Sequence, residues 1–274
     1  MAVNPNLTIR YAEVDLDYER VLAETSPEGD GPVWMVNFMK YRPVAEYVDG
    51  RATDLTGEQA DDQYAPFEAF AEVGADLVFL AAVDTQLLGA DPAWDRVAVV
   101  KYPNRRAFVD MTHLRSFEEK HPHKDAGMER TIVVGARPTA WPALPEDAPA
   151  WEYVPHPPTP DDPPVVVLHL LRFAEDASAR SSMEGYQDAA GAVAVPHGVR
   201  IAGWLDVEGT ILGDGRRWDQ VRFNAFPSKA AFLAVALDPD RLTAQAEHRE
   251  PAIADTYALI LRPLLDRLEE SFAG

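Results

Sequence analysis

The stretch A-W-D-R-V-A-V-V-K-Y-P-N-R-R-A-F, Ala93 to Phe108, returns 124 residues later as R-W-D-Q-V-R-F-N-A-F-P-S-K-A-A-F, Arg217 to Phe232. The ungapped match runs back through Gly89/Gly213, Leu88/Leu212 and Val83/Val207 to Gly74/Gly198. Uncommon residue types recur in the same order: Trp-Asp, an aromatic followed by Pro, then Ala-Phe. Self-similarity of this kind marks a repeated structural unit and is read before any single element. Farther upstream, V-W-M-V-N-F-M-K-Y (Val33 to Tyr41) aligns with V-V-V-L-H-L-L-R-F (Val165 to Phe173) at an offset of 132. The first copy therefore carries eight extra residues. The polar stretch Tyr47 to Asp62 accommodates them as a predicted loop.

Each copy reads β-α-β-β-α-β. In the first, Val33–Tyr41 is an apolar run closed by Pro43 and predicts a buried strand. A helix carrying Tyr64, Phe67, Phe70 and Val73 follows and stops at Gly74. Strands at Leu77–Val83 and Trp94–Tyr102 come next. Asn104 then caps a helix with Ala107, Phe108 and Met111, and Thr131–Ala136 is the last strand. The second copy repeats the order with Val165–Phe173, a helix near Met183–Val193, Ile201–Val207, Trp218–Phe226, a helix from about Ser228, and Tyr257–Leu261. Between the copies, ten prolines from Pro138 to Pro164 exclude helix and ladder and predict a spacer. Trp141, Trp151 and Tyr153 within it predict that it packs on a surface. The expected organisation is a first unit over 1–137, a linker over 138–164 and a second unit over 165–274.

One βαββαβ unit forms a four-stranded antiparallel sheet with both helices on one face and leaves the other face bare. Two units cover each other by curling into a barrel. The predicted fold class is therefore α+β, two ferredoxin-like repeats forming an intramolecular barrel. On these strand motifs, M-V-N-F-M-K-Y and Y-P-N-R-R-A-F, the chain resembles the dimeric α+β-barrel superfamily and its small uncharacterised bacterial domains. That resemblance implies company with cofactor-free antibiotic-biosynthesis monooxygenases, muconolactone-isomerase-like and EthD-like proteins, and some haem enzymes. It is specific for fold and not for activity.

Composition narrows the partners. The formal net charge of −20 opposes phosphate backbones and anionic lipid, so neither nucleic acid nor membrane is an expected partner. No apolar run reaches a membrane span and no leader pattern opens the chain, which predicts a cytoplasmic protein. The absence of cysteine excludes disulfides, thiolate metal sites and a cysteine nucleophile. No nucleotide-binding glycine loop, H-E-x-x-H or G-x-S-x-G occurs. No organic cofactor and no metal are expected. A further pairing of whole chains into a homodimer is compatible with the fold.

Strand alternation then proposes a pocket. Taking Trp34, Val36 and Phe38 as the helix side turns Met35, Asn37, Met39 and Tyr41 into the barrel. Their equivalents are Val167, His169, Leu171 and Phe173. Gln220, Arg222 and Asn224 join them, with Arg96, Ala98, Val100 and Tyr102 in the first copy and Ala202, Trp204 and Asp206 on the second strand of copy two. Asn37 and His169 occupy equivalent mid-strand positions in apolar runs, where a polar side chain costs a few kcal/mol unless it is partnered. A histidine ordinarily titrates near neutrality, so His169 is expected to do acid–base work, with Arg222 and Asn224 as oxyanion partners. The bland alternative is a core histidine bonded to a backbone carbonyl. Substrate contacts are expected from Asn37, Met35, Met39, Tyr41, Tyr102, Phe173, Trp204, Asp206 and, at the pocket mouth, His248. His121 and His123, in H-P-H, read as a solvated loop, and the two Trp-Asp pairs as structural. The expected function is a small-molecule oxygenase, cyclase or isomerase acting on an aromatic or polyketide-like substrate. A non-catalytic binder, or a haem protein with a histidine ligand, are the alternatives.

Overall fold

The computed structural model describes residues 3–89 and 91–273. Its first part runs β1 (Glu13–Val14), α1 (Leu16–Glu24), β2 (Val33–Tyr41), α2 (Gly57–Tyr64), α3 (Phe67–Val73), β3 (Asp76–Leu88), β4 (Arg96–Tyr102), α4 (Arg105–Met111), α5 (Arg115–Gly127) and β5 (Met128–Pro138). The second part runs β6 (Val165–Phe173), α6 (Ala179–Ala194), β7 (Arg200–Gly213), β8 (Gln220–Phe226), α7 (Lys229–Ala236), α8 (Pro239–Ala244) and β9 (Ile253–Asp266). Among the described residues no helix is long and apolar enough to cross a membrane.

The strands of the first half lie in the order β5-β2-β4-β3, those of the second in the order β9-β6-β8-β7. Each half thus places its first strand between its third and its last, the ferredoxin-like arrangement. β3 pairs with β9 and β5 with β7, all antiparallel, and eight strands close into one barrel. The fold is an α+β barrel of two ferredoxin-like units in one chain. β1 adds a short rung to β7.

The barrel interior is a packed core, and this corrects the face assignment made from alternation. Trp34, Val36, Phe38, Val97, Val99, Leu168, Leu170, Val221, Phe223, Tyr257 and Leu259 meet there from both halves. Met35, Asn37, Met39, His169, Arg222 and Asn224 point the other way, toward the helices. The reason is spatial. An eight-stranded barrel is just wide enough for side chains to fill, and each large side chain sealed inside contributes roughly 1.5–3 kcal/mol. The bulkiest apolar set therefore goes inside, and the set interrupted by polar residues goes out.

Both halves carry a bulge at the same place, between Leu77 and Phe79 in β3 and between Ile201 and Gly203 in β7. The extra residue shifts the phase. Ala202 and Leu205 then face the barrel core, while Ile201 and Trp204 face the helices. Phe79 fills the core at its position; at the equivalent Gly203 the ring of Phe272 from the C-terminal turn fills the space, 2.5 Å from where a Cβ would stand.

The Trp-Asp pairs act alike in both halves. Asp95 accepts from the Tyr41 N–H at 2.8 Å, and Asp219 from the Phe173 N–H at 2.7 Å. Trp94 and Trp218 pack on the ring of Tyr257 at 5.6 and 5.7 Å. Two local expectations are overturned. The stretch 47–62 is not all loop: Thr56 and Gln59 form a capping box that starts α2, and Pro66 separates it from α3. His121 and His123 sit within α5, not on a solvated loop. His121 is buried with Nε2 2.8 Å from the Thr8 carbonyl, and His123 Nδ1 lies 2.7 Å from the Tyr47 hydroxyl. In the linker, Trp151 donates to the Gly198 carbonyl at 2.7 Å and Trp141 packs on Phe272, whereas Tyr153 is exposed.

Candidate active site

Each half encloses a pocket between the outer face of its sheet and its own helices, about 320 Å³ in the first half and about 340 Å³ in the second. Both fall at the small end of the range that holds ligands. The strand floors are equivalent, residue for residue: Met35/Val167, Asn37/His169, Met39/Leu171, Leu80/Trp204, Ala98/Arg222 and Val100/Asn224.

In the second half, His169 on β6 stands directly opposite Arg222 on β8, and Trp204 on β7 stands opposite Arg222 on its other side. The guanidinium lies 4.1 Å over the Trp204 ring. Its Nε donates to Gln220 Oε1 at 2.6 Å. With the Gln187 amide oxygen turned toward it, Nη1 and Nη2 each donate at 2.8 Å. Arg222 is thus rigidly held, yet by neutral groups only. Burial and the nearby Arg249 lower its pKa to about 10, so it remains a cation at neutral pH. Trp204 Nε1 donates to Asn224 Oδ1 at 3.1 Å, which leaves the Asn224 amide N–H groups free to donate elsewhere.

His169 has a buried Nδ1 with no hydrogen-bond partner, which runs against a histidine satisfied there by backbone. Burial, reinforced by Arg249, Arg222 and Arg241, holds its pKa well below the usual histidine range. The imidazole is therefore neutral at pH 7 and able to accept a proton. Met183, Tyr186, Gln187 and Ala190 of α6 and Phe232 and Val235 of α7 roof the cavity.

The first-half pocket has the opposite electrostatics. Arg96 pairs with Glu58 at 2.5 Å, Asp62 at 2.9 Å and Asp61 at 3.5 Å. Lys124, whose pKa is lowered by burial, lies 3.9 Å from Asp61. Tyr41 donates to Asp61 at 2.7 Å, and Asn37 donates to the Met35 carbonyl at 3.0 Å. Its cations face carboxylates, and most of the remaining lining is aliphatic, Met or aromatic.

The two pockets exchange rims. Leu87 and Leu88 at the end of β3 reach the second-half pocket, and their equivalents Ile211 and Leu212 of β7 reach the first-half pocket. The cover differs between them. Val3, Leu7, Ile9 and Tyr11 of the N-terminal segment close the first, and Pro142, Ala143 and Leu144 of the linker close the second.

Of the residues expected at a site, His169, Arg222, Asn224 and Trp204 line one pocket, and Asn37, Met35, Met39 and Tyr102 the other. They do not share one barrel cavity. Tyr41 and Phe173 stand behind the linings, Phe173 in a cluster with Leu171, Ala179 and Met183. Asp206 shares the face of Trp204 but is solvent-exposed, outside the lining, and accepts from Gln220 at 2.9 Å. His248 packs beside Gly185 and contributes its carbonyl to Ser182, so it does not line the mouth. Its neighbour Arg249 does, together with Arg241 and Gln245. The four-residue spacing of Arg241, Gln245 and Arg249 was the signal for one helical stripe. A π-helical turn over Gln245–Arg249 carries it into the cavity. Among the described residues no cluster of His, Asp and Glu could hold a metal ion.

Fold and site together define an intramolecular α+β barrel with two unlike sheet–helix pockets. No family model and no curated protein matches the chain. Similar solved structures include a Rhodopseudomonas palustris protein of unknown function, 25% identical over 47% of this chain and 98% of that one, at a TM-score of 0.41. A protein described as a candidate monooxygenase from Lactobacillus acidophilus is 11% identical, covering 86% of this chain and 97% of its own, at 0.45. A chlorite dismutase variant from Candidatus Nitrospira defluvii is 15% identical, covering 94% and 100%, at 0.47.

Proposed function

We propose that the second-half pocket is the active site of a small-molecule enzyme that removes a proton from a phenolic or enolisable substrate. The carrying observation is the neutral His169 facing the carboxylate-free cation Arg222 on a preorganised floor. His169 accepts the proton, and Arg222 and the Asn224 amide hold the oxygen on which charge develops. The field that lowers the pKa of His169 lowers that of the substrate as well. Once the proton has moved, imidazolium and oxyanion neutralise each other in a dry site, where the pairing is strong. An oxygenase, cyclase or isomerase acting on an aromatic or polyketide-like molecule uses such an anion, and the protein needs no bound organic cofactor to form it. A binder without turnover is the competing reading. We also propose that the halves arose by duplication, with units 1–137 and 165–274 around the linker 138–164; the residue-for-residue floors and the shared bulge support this.

The test is a panel of nitrophenols and enolisable aromatic ketones, titrated at pH values below their own pKa and read by the absorbance of the bound anion. The native protein is expected to bind them as anions and Arg222→Met to bind them protonated. Oxygen uptake or isomerisation should then disappear in His169→Asn. Ligands that stay protonated in the native pocket, or turnover that survives His169→Asn, would overturn the assignment.

A further inference from the structure

We propose that Arg241 and Arg249 form a carboxylate-binding subsite in the second-half pocket, so that its substrate is an apolar acid carrying a permanent anion besides the oxygen held at Arg222. This rests on the proposed small-molecule role of the pocket and names the substrate class.

The first observation is a buried cation without an ion pair. Arg249 is 5% exposed, and its Nη2 is buried with no hydrogen-bond partner. Arg241 donates from Nε to the Tyr186 hydroxyl at 3.1 Å and from Nη1 to the Ala236 carbonyl at 3.1 Å, both neutral. Among the described residues neither arginine has a carboxylate within ion-pairing distance. Buried guanidinium groups are normally paired with acids, because an isolated buried charge is costly. Acids are not scarce, since the chain has 45 against 25 Lys and Arg.

The second observation is the contrast with the first half. There Arg96 meets three carboxylates and Lys124 faces Asp61. The fold therefore permits neutralisation, and the second half lacks it. Arg249 lines the cavity and carries an N–H with no partner, and a guanidinium in that state can supply one half of a charge-assisted carboxylate contact. The third is placement. Arg241, Gln245 and Arg249 lie on the helical roof, while His169 and Arg222 lie on the strand floor. A ligand bridging the two carries its permanent anion at the roof and its ionisable oxygen at the floor. The apolar lining of roof and floor, Leu171, Met183, Phe232 and Val235, takes its hydrocarbon body.

The test is calorimetric titration of the full chain with naphthoate and with naphthamide, which share shape and differ in charge. Naphthoate is expected to bind at least about tenfold more tightly, the scale of a charge-assisted bidentate contact. Arg249→Met should bring the two affinities together while naphthamide binding stays within about twofold, which also certifies the fold. Arg241→Met, at a less buried position, should reduce the ratio by an intermediate amount. Equal binding of the two ligands to the native protein, no binding of either at millimolar concentration, or a preference kept by both variants would overturn the subsite. His169→Asn separates the two proposals. It should abolish proton transfer and retain the carboxylate preference; a preference with no turnover in the native protein leaves the subsite standing and removes the acid–base role.

Discussion

At the scale of single residues, His169 concentrates the consequences. Its folded pKa lies below the ordinary 6.5 because burial and three arginines penalise the imidazolium. Between that folded value and 6.5 the unfolded chain binds the extra proton, so stability falls as pH drops through the window. His121, shifted down by burial, acts in the same sense. The difference between native protein and His169→Asn isolates the term: denaturant midpoints should converge as pH falls below 6.5, and parallel curves would refute it. The acid limb of kcat/KM of the native protein should likewise lie below 6.5. The polarity of this position was legible from the sequence, since a histidine in V-V-V-L-H-L-L-R-F has to find a use. Its direction was not. Val33–Tyr41 and Val165–Phe173 are apolar on both faces, so a period of two divides the side chains into sets without saying which set is inside. Residue bulk held the answer. Trp34 and Phe38 need the closed core, and Asn37 and His169 need a cavity with polar company.

At the scale of elements, the Trp-Asp corner fixes strand to strand. Asp219→Ala leaves the Phe173 N–H without its acceptor and should cost about 1–3 kcal/mol, and Asp95→Ala at least as much, because Asp95 accepts from the Tyr41 N–H and also from Lys40 Nζ at 3.1 Å. Urea unfolding would measure both; a smaller loss at Asp95 than at Asp219 would refute this. Helices α2 and α5 cross at Gly57 and Gly127, where a Cβ on Gly57 would collide with the Gly127 carbonyl oxygen. Gly57→Ala should destabilise by about 1–3 kcal/mol or more through overpacking. A thermal midpoint unchanged from the native value would contradict that crossing. The element order was readable in advance because elements end in chemical stops: Pro103 and Pro227 after strands, Gly74 and Gly198 after helical segments. The capping box of α2 was readable too, from Thr56 and Gln59. Hydrophobic spacing alone hides it, because a polar insertion within the first half looks like a loop.

At the scale of the whole molecule, the exchanged rims tie the halves together functionally. Leu87 and Leu88 belong to the first half and line the pocket of the second. Leu87→Ser with Leu88→Ser should therefore weaken naphthoate binding several-fold, through lost apolar contact at roughly 25 cal/mol per Å², while leaving the carboxylate preference over naphthamide intact. Unchanged affinity would place the rim outside the binding surface. No reading of one repeat in isolation could foresee this, since the contact joins residues that are distant in sequence and meet only when the ring closes.

The solid barrel has a kinetic corollary. Its interior is filled by Trp34, Phe38, Phe79, Phe223 and Tyr257, so the floor under His169 cannot breathe. Passage of any molecule must then be granted by the roof, where Pro142–Leu144 and the π-helical turn lie over the cavity. Deuterium uptake should be slowest in β6 and β8 and far faster across 239–252, and a bound acid should slow the second without touching the first.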